Sequence, residues 1–343
     1  MPGLWRDDFG HRADHRERRG GPVIRLLLFV VALMFVVRAE PIATVDASAP
    51  QEQRKLIALS FDDVPRMRGA FMDPQERGQR LIAIMKEKGV EQAAFFLNPG
   101  QLTEYGDTKG AGQRIRTYVA AGHVLANHSF THPRLGGTSA ADYLSNIDAA
   151  EQWLSKQPGH RPWFRYPFLD EGGKDMAKRD AIRAGLKARG LLNAYVTIDG
   201  SDWNMEDQAL RAKKAGKTMD MAALRDLYVE THVQSANFSD ALMVRTLGRS
   251  PAHVLLLHET DMAALFLGDL IDALRRDGWE IISADGAFAD PIYRSTPETP
   301  YAAGTLAEAL AWEKGIKGAR WYERNNTDIA NRLFAERVLH EKK

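Results

Sequence analysis

An α/β fold built on a parallel sheet, open or closed into a barrel, is what this sequence predicts, on three observations. Short apolar segments alternate with helical ones between residues 55 and 283, and such alternation makes successive strands parallel, with helices as the crossovers. The apolar segments also end in polar clusters: Asp62-Asp63 after residues 56–61, His128 after 123–126, Arg165 after Trp163-Phe164, Asp199 after 191–198 and His258 after 253–257. In βα-barrels that end of the strands carries the reacting groups. Finally, 343 residues at 44% hydrophobic and 27% charged suit one domain of roughly 230–250 residues with extensions, or two small domains.

In order, residues 56–61 form a strand that stops at the two aspartates. Asp73, Pro74 and Glu76 supply a helix N-cap, a proline at the first helical position and an early acid; Leu81, Ile82 and Met85 face inward and Gly89 ends the helix. Residues 92–97 are a strand, 114–121 a helix closed by Gly122, and 123–126 a short strand that delivers His128. Ser139 to Asp142 cap a helix running to about Lys156, with Leu144, Ile147, Trp153 and Leu154 as core positions. Trp163-Phe164 is a strand, 175–189 a helix ended by Gly190, and 191–198 a strand. Two helical segments follow at about 219–234 and 238–247, then a strand at 253–257, a helix at 261–276 with Leu267, Leu270, Ile271 and Leu274 apolar, and a last strand at 279–283. Beyond Pro291, residues 305–314 and 328–339 are helical, the second with Ile329, Leu333, Phe334 and Val338 on one face. The expected role of this tail is a packing or capping extension, with partner binding or groove shaping as the alternative.

The absence of cysteine excludes disulfides, thiolate metal sites and a cysteine nucleophile, so any metal must be held by histidines and carboxylates. A net charge of +1 offers no bulk attraction to nucleic acid. Arg16, Arg18, Arg19 and Arg25 precede the apolar run 26–37. That run is short of the about 20 residues a membrane span needs and matches the core of a signal peptide. Ala47-Ser48-Ala49 has the form of a cleavage site, with Val37-Arg38-Ala39 as an alternative. The expectation is export to the periplasm or cell envelope, with membrane contact only through this segment if it is retained as an anchor.

His128 and His132, four apart, fall on one face of a helical turn, near enough to grip one metal ion. Catalytic zinc takes three protein ligands and keeps a fourth position open, and the best source of the third is Asp62-Asp63. Neighbouring carboxylates on a strand point in opposite directions, so one is expected to ligate while the other acts as general base. Arg165 has the forked donors to orient a carboxylate, and Pro167 holds Tyr166 extended, which helps present a backbone N–H nearby. Asp202 adds a carboxylate beside Trp203, an aromatic wall on which a sugar ring can stack, and His258 leaves an apolar strand. Singly, each has a plain structural explanation: a cap, a surface ion pair, a core aromatic, a hydrogen-bonded histidine. Their shared position at strand ends sets them apart.

In this order, Ser60-Phe61-Asp62-Asp63, His128-Ser129-Phe130-Thr131-His132, Arg165-Tyr166-Pro167-Phe168, Asp199-Gly200-Ser201-Asp202-Trp203 and Leu256-Leu257-His258 resemble the five motifs of the NodB-type polysaccharide deacetylases, carbohydrate esterase family 4, over about residues 55–289. The segments 93–96 and 122–127 resemble the family as well. The resemblance implies a deformed (β/α) barrel of the glycoside hydrolase–deacetylase type over residues 50–289, between an N-terminal region at 1–49 and a helical C-terminal extension at 290–343. It implies one divalent metal, usually zinc, on Asp63, His128 and His132. It further implies Asp62 as general base steered by Arg165, His258 as general acid paired with Asp202, the Phe168 backbone N–H as oxyanion donor, and Trp203 and Leu256 as pocket walls, with Tyr166 among the substrate-binding residues. The implied reaction is removal of N-acetyl groups from a glycan containing N-acetylglucosamine (chitooligosaccharide, peptidoglycan or exopolysaccharide), releasing acetate. Two alternatives stand beside it. Hydrolysis of a small cyclic amide or ureide on the same barrel is opposed by the export signal; a non-catalytic sugar-binding protein is opposed by the presence of Asp62, Arg165 and His258. One departure is Val64, where the family usually has glycine. A β-branched residue tolerates positive φ poorly, so either the loop differs and Asp62 moves, or Val64 narrows the groove. His123 also fits a family position, with packing as its expected role.

Overall fold

The computed structural model describes residues 54–341 except 103–105 and 107–108, so the N-terminal apolar run and both cleavage-site candidates lie outside the described residues. In chain order the elements are β1 (Lys55–Val64), α1 (Pro74–Glu87), β2 (Ala94–Leu97), α2 (Ala111–Ala120), β3 (Val124–Asn127), α3 (Ala140–Leu154), β4 (His160–Phe164), β5 (Asp170–Gly173), α4 (Met176–Ala188), β6 (Leu192–Asn193), β7 (Ile198–Asp199), α5 (Asp202–Lys214), α6 (Met221–Leu247), β8 (Ala252–His258), α7 (Asp261–Arg276), β9 (Trp279–Ile281), α8 (Ala284–Phe288), β10 (Ala302–Ala303), α9 (Leu306–Glu313) and α10 (Thr327–Arg337).

The main sheet runs β6-β4-β3-β2-β1-β8-β7, with β9 on the start of β1, and its pairs are parallel. Its edge strands β6 and β7 are joined by residues 194–197 alone. Such a span covers at most roughly 18 Å. The connection is stitched to both sides: the Ala194 N–H donates to the Phe164 carbonyl at 2.7 Å and the Thr197 N–H to the Val254 carbonyl at 3.1 Å. The sheet therefore curls until its edges meet through this segment, which makes it a deformed (β/α) barrel.

Strand alternation then sorts the side chains. On β1, Ile57, Leu59 and Phe61 pack outward with Leu81 and Met85 of α1 and with Leu267, Leu270 and Ile271 of α7. The intervening Ala58 faces the interior with Val254 and Leu256 of β8. Continuing that inner row brings Ser60 and Asp62 inward on β1, and His258 after Leu256 on β8. The register places Asp62 directly beside His258, so two groups far apart in sequence share one end of the barrel.

Local chemistry sets several boundaries. The Asp73 side chain accepts from the Gln75 and Glu76 N–H groups at 2.9 Å, with Pro74 at the first helical position of α1. Thr305 and Glu308 form a reciprocal capping box at the start of α9. Elsewhere the structure departs from expectation. The two helices expected at 219–234 and 238–247 are one 27-residue helix, α6. Residues 235–237 carry neither proline nor glycine, and Ser235, buried, donates its hydroxyl to the Asp199 carbonyl at 2.6 Å, so the helix runs on. The strand expected at 191–198 is two dipeptides, because its middle forms the barrel seam. Helix α5 and the antiparallel pair β5–β10 were not foreseen.

Described residues of the C-terminal extension belong to the same compact unit as the barrel. Leu306, Leu310 and Ala311 of α9 pack with the inner cluster, while Phe334 of α10 and Val338 join the outer one. Phe334 is 1% exposed, so Phe334→Ala is expected to lower unfolding stability by about 3–5 kcal/mol. Urea denaturation of the two proteins would measure it; an unchanged midpoint would mean that the tail is not part of the cooperative unit.

Candidate active site

A cavity of about 520 Å³ opens at the C-terminal ends of the strands, and Asp62, Asp63, His128, His132, Trp203 and His258 are among the residues lining it. Phe168 and Leu256 line it too. Arg165 and Asp202 stand behind the wall, 1% and 0% exposed.

The histidine pair is not helical. His128 follows β3, and Ser129 (φ 68°) and His132 (φ 61°) are left-handed residues in the loop after it. Asparagines brace that loop: the Asn98 side chain donates to the His128 and Ser129 carbonyls at 2.5 and 3.1 Å, and the Ser129 N–H donates to Asn127 Oδ1 at 2.7 Å. The result still brings the rings together, with centroids 4.9 Å apart.

Asp62 and Asp63 do not point to opposite faces, contrary to the strand rule. Asp63 adopts φ 62°, which turns its carboxylate into the cavity beside Asp62. Aspartate tolerates this conformation better than most residues. This also resolves Val64: the left-handed position is Asp63, and Val64 is fully buried in the outer core, so it neither strains the loop nor narrows the cavity. Asp62 keeps its place on β1.

Among the described residues, seven non-glycines have positive φ. Five of them (Asp63, His132, Phe168, Leu169 and Ser201) line the cavity, and a sixth, Ser129, lies between the two histidines. Each such residue costs about 1–3 kcal/mol, and conformations of this kind persist where function requires a particular geometry.

Asp63 Oδ1 lies 2.9 Å from His132 Nε2 and 3.3 Å from His128 Nε2. His128 donates its Nδ1–H to the Arg165 carbonyl at 2.9 Å, which leaves Nε2 of the neutral ring as a bare lone pair aimed at the carboxylate. Asp63 Oδ1 is buried without a hydrogen-bond partner. Electron-rich atoms converging on one point, with one oxygen orphaned, form a donor set that fits a divalent cation.

Two charged pairs flank this cluster. Arg165 donates from Nη1 to Asp62 Oδ1 at 2.6 Å and to Ser60 Oγ at 2.9 Å, and from Nε to the Ala194 carbonyl at 2.9 Å; its guanidinium lies 3.7 Å from the Phe96 ring centre. Asp62 Oδ2 is 3.8 Å from His128 Nε2. Opposite, His258 donates Nδ1–H to Asp202 Oδ1 at 2.7 Å, and its backbone N–H reaches Asp202 Oδ2 at 2.8 Å. Burial alone would lower the His258 pKa, but the buried Asp202 charge and hydrogen bond outweigh it and raise it to about 9. Nε2 remains as the nitrogen able to pass a proton.

Tyr166 is the exception among the expected site residues. It is 2% exposed and packs with Tyr143 and Phe164 in a separate core cluster, because it lies on the strand face opposite Arg165. Phe168, with φ 60°, is half exposed and packs its ring on His132 and under Arg134. Sequence reading missed Arg66, which lines the cavity and donates to Asp63 Oδ2 at 2.7 Å, and Asn325, brought to the cavity by the C-terminal extension and accepting from Ser201 Oγ at 3.2 Å. Arg66 carried only the faint signal of a cation three residues after Asp63; Asn325 carried none. Asp199, named earlier only as part of a cluster, also lines the cavity, and burial raises its carboxyl to about 6.

Residues 49–188 match the polysaccharide deacetylase family. Over 193 residues the chain is 27% identical to the peptidoglycan-N-acetylmuramic acid deacetylase PdaC of Bacillus subtilis, which covers 53% of this chain and 35% of that protein. Over 120 residues it is 32% identical to the chitin deacetylase of Colletotrichum lindemuthianum, covering 34% of this chain and 43% of that one. The chain thus spans less than half the length of either relative. The solved structure of the Colletotrichum enzyme superimposes with a TM-score of 0.48 at 21% identity, covering 74% of this chain and 93% of that chain.

Proposed function

We propose that this chain, whose residues 49–188 belong to the polysaccharide deacetylase family, hydrolyses N-acetyl groups from a glycan containing N-acetylglucosamine. The observation that carries the reading is one cavity in which an Asp–His–His cation site lies between a carboxylate held by arginine and a histidine held by aspartate.

Asp63, His128 and His132 would hold one divalent cation, zinc being best suited to such ligands. When bound it supplies Lewis acidity toward an acyl oxygen and toward water. The residues of the chain do the rest. Asp62 accepts a proton from the attacking water, and the Arg165 ion pair aims its carboxylate. Water's oxygen bonds to the acyl carbon, and the Phe168 N–H would meet the charge that grows on the acyl oxygen. His258 Nε2 gives its proton to the departing nitrogen as the C–N bond breaks, leaving acetate and a free amine. Leu256 and Trp203 wall the acetyl and sugar sides.

Purified protein is expected to release acetate from N-acetylglucosamine oligomers, to lose at least about tenfold of that rate after chelation, and to recover it with zinc. Acetate release indifferent to chelator would remove the cation from the reading. No release from any N-acetylated glycan would favour the non-catalytic sugar-binding alternative.

Among the described residues no helix is long and apolar enough to cross a membrane. The proposed location, the periplasm or cell envelope, rests on the N-terminal apolar run.

A further inference from the structure

A second cavity, of about 420 Å³, is built from the C-terminal extension. Its wall includes Tyr301, Trp312 and Trp321, which are 59, 42 and 49% exposed. The exposed large aromatics among the described residues number five, and all lie in the two cavities: Phe168 and Trp203 in the first, these three in the second. Exposed aromatic faces gathered in a hollow mark a binding surface.

The two cavities adjoin. The Gly304 N–H donates to the Leu169 carbonyl at 3.1 Å; Gly304 lines the second cavity and Leu169 the first. Trp321 of the second cavity precedes Asn325 of the first by four residues, a reach of at most roughly 14 Å. The tail that carries them is pinned: Tyr322 donates to Gln234 Oε1 at 2.8 Å, and Arg324 reaches Glu230 at 2.6 Å and Thr231 at 3.0 Å. Tyr301 rests against Gly173 of β5, where a Cβ would meet its ring at 3.4 Å. The aromatic wall is therefore preformed.

Its polar groups are few and of both signs, chiefly Arg320 and Glu308. That composition does not select an anion or a cation. Flat apolar faces edged by a few hydrogen-bonding groups match a pyranose ring, which has apolar faces and a hydroxyl rim.

We propose that Tyr301, Trp312 and Trp321 form a stacking subsite for another sugar unit of the glycan whose acetyl group occupies the catalytic cavity. This rests on the deacetylase reading. It makes the enzyme prefer polymer over short substrate, through binding contributed by residues outside the part of the chain that matches the family.

The test uses the full chain and the double variant Trp312→Ala/Trp321→Ala. Both side chains are well exposed, so the fold is expected to survive, and an unchanged Tm checks this. KM for acetate release from the N-acetylglucosamine hexamer is expected to rise about tenfold, as the loss of two stacked rings implies. KM for the dimer stays the same. A second, activity-free arm titrates hexamer into Asp62→Asn and into the same variant lacking both tryptophans, by calorimetry. The affinity is expected to drop about tenfold. Equal KM values and equal affinities would overturn the subsite. If the parent releases no acetate from any glycan, the functional reading fails, and the calorimetric arm alone decides the subsite. Hexamer binding unaffected by the double variant would then leave the surface to a protein partner.

Discussion

Asp62→Asn is expected to lower kcat for acetate release by about a hundred- to ten-thousandfold, the usual contribution of a positioned general base. The amide has nearly the same shape and can still accept from Arg165 Nη1 through its oxygen, where the carboxylate accepts at 2.6 Å. It cannot take a proton from water. The cation site should be untouched, since Asp63, His128 and His132 converge without Asp62, so zinc content measured on the purified variant should match the parent. Some stability is lost, because the buried Arg165 gives up its counter-charge and a broken buried ion pair costs several kcal/mol; a lower Tm with a cooperative transition is the expected signature. KM should change little, as Asp62 acts in the transition state. A rate within a few-fold of the parent, at full zinc content, would remove Asp62 from the role of base.

The second large effect is a displaced pH profile in Asp202→Asn. In the parent, the His258 pKa of about 9 keeps it protonated through neutral pH, and kcat/KM should fall as pH rises through that value. Asparagine removes the main charge that opposes burial. Burial is then opposed only by the weaker pull of the Asp63 charge, and the His258 pKa falls to its usual value of about 6.5 or below. The alkaline limb should move down by at least about two pH units, and the rate at pH 8 should fall about thirtyfold or more. The same linkage has a stability counterpart. His258 is raised on folding, so its contribution is complete below the unfolded pKa of about 6.5 and is lost as pH rises toward about 9. Stability of the parent should therefore decline across that window, and that of Asp202→Asn should not decline for this reason. An alkaline limb at the same pH in both proteins would show that the titrating acid is not His258.

Much of the fold was legible from local pattern. Apolar runs at 56–61 and 253–257, read as strands whose faces alternate, placed β1 and β8, and Asp73 with Pro74 marked the start of α1, because apolar runs and capping are written within a few residues. The site was legible where residues sit at strand ends: Asp62, Asp63, His128 and His258 all line the cavity. The same alternation misled at Asp63, whose φ of 62° reverses its side chain, and no local pattern announces a left-handed aspartate. At Tyr166 alternation held and the expected substrate contact failed, because the neighbour of an inward arginine faces outward into the core.

Other features belong to the assembled barrel alone. The four-residue seam between β6 and β7 reads as one strand until two neighbours claim its opposite ends. Asn325 and the aromatic wall of the second cavity come from a tail whose sequence shows only amphipathic helices. Period, capping and residue type are properties of neighbours in sequence, so the chain states them directly. Side-chain direction after a left-handed residue, barrel closure and the docking of a distant segment are set by contacts between residues far apart in sequence, and only the folded chain brings those together.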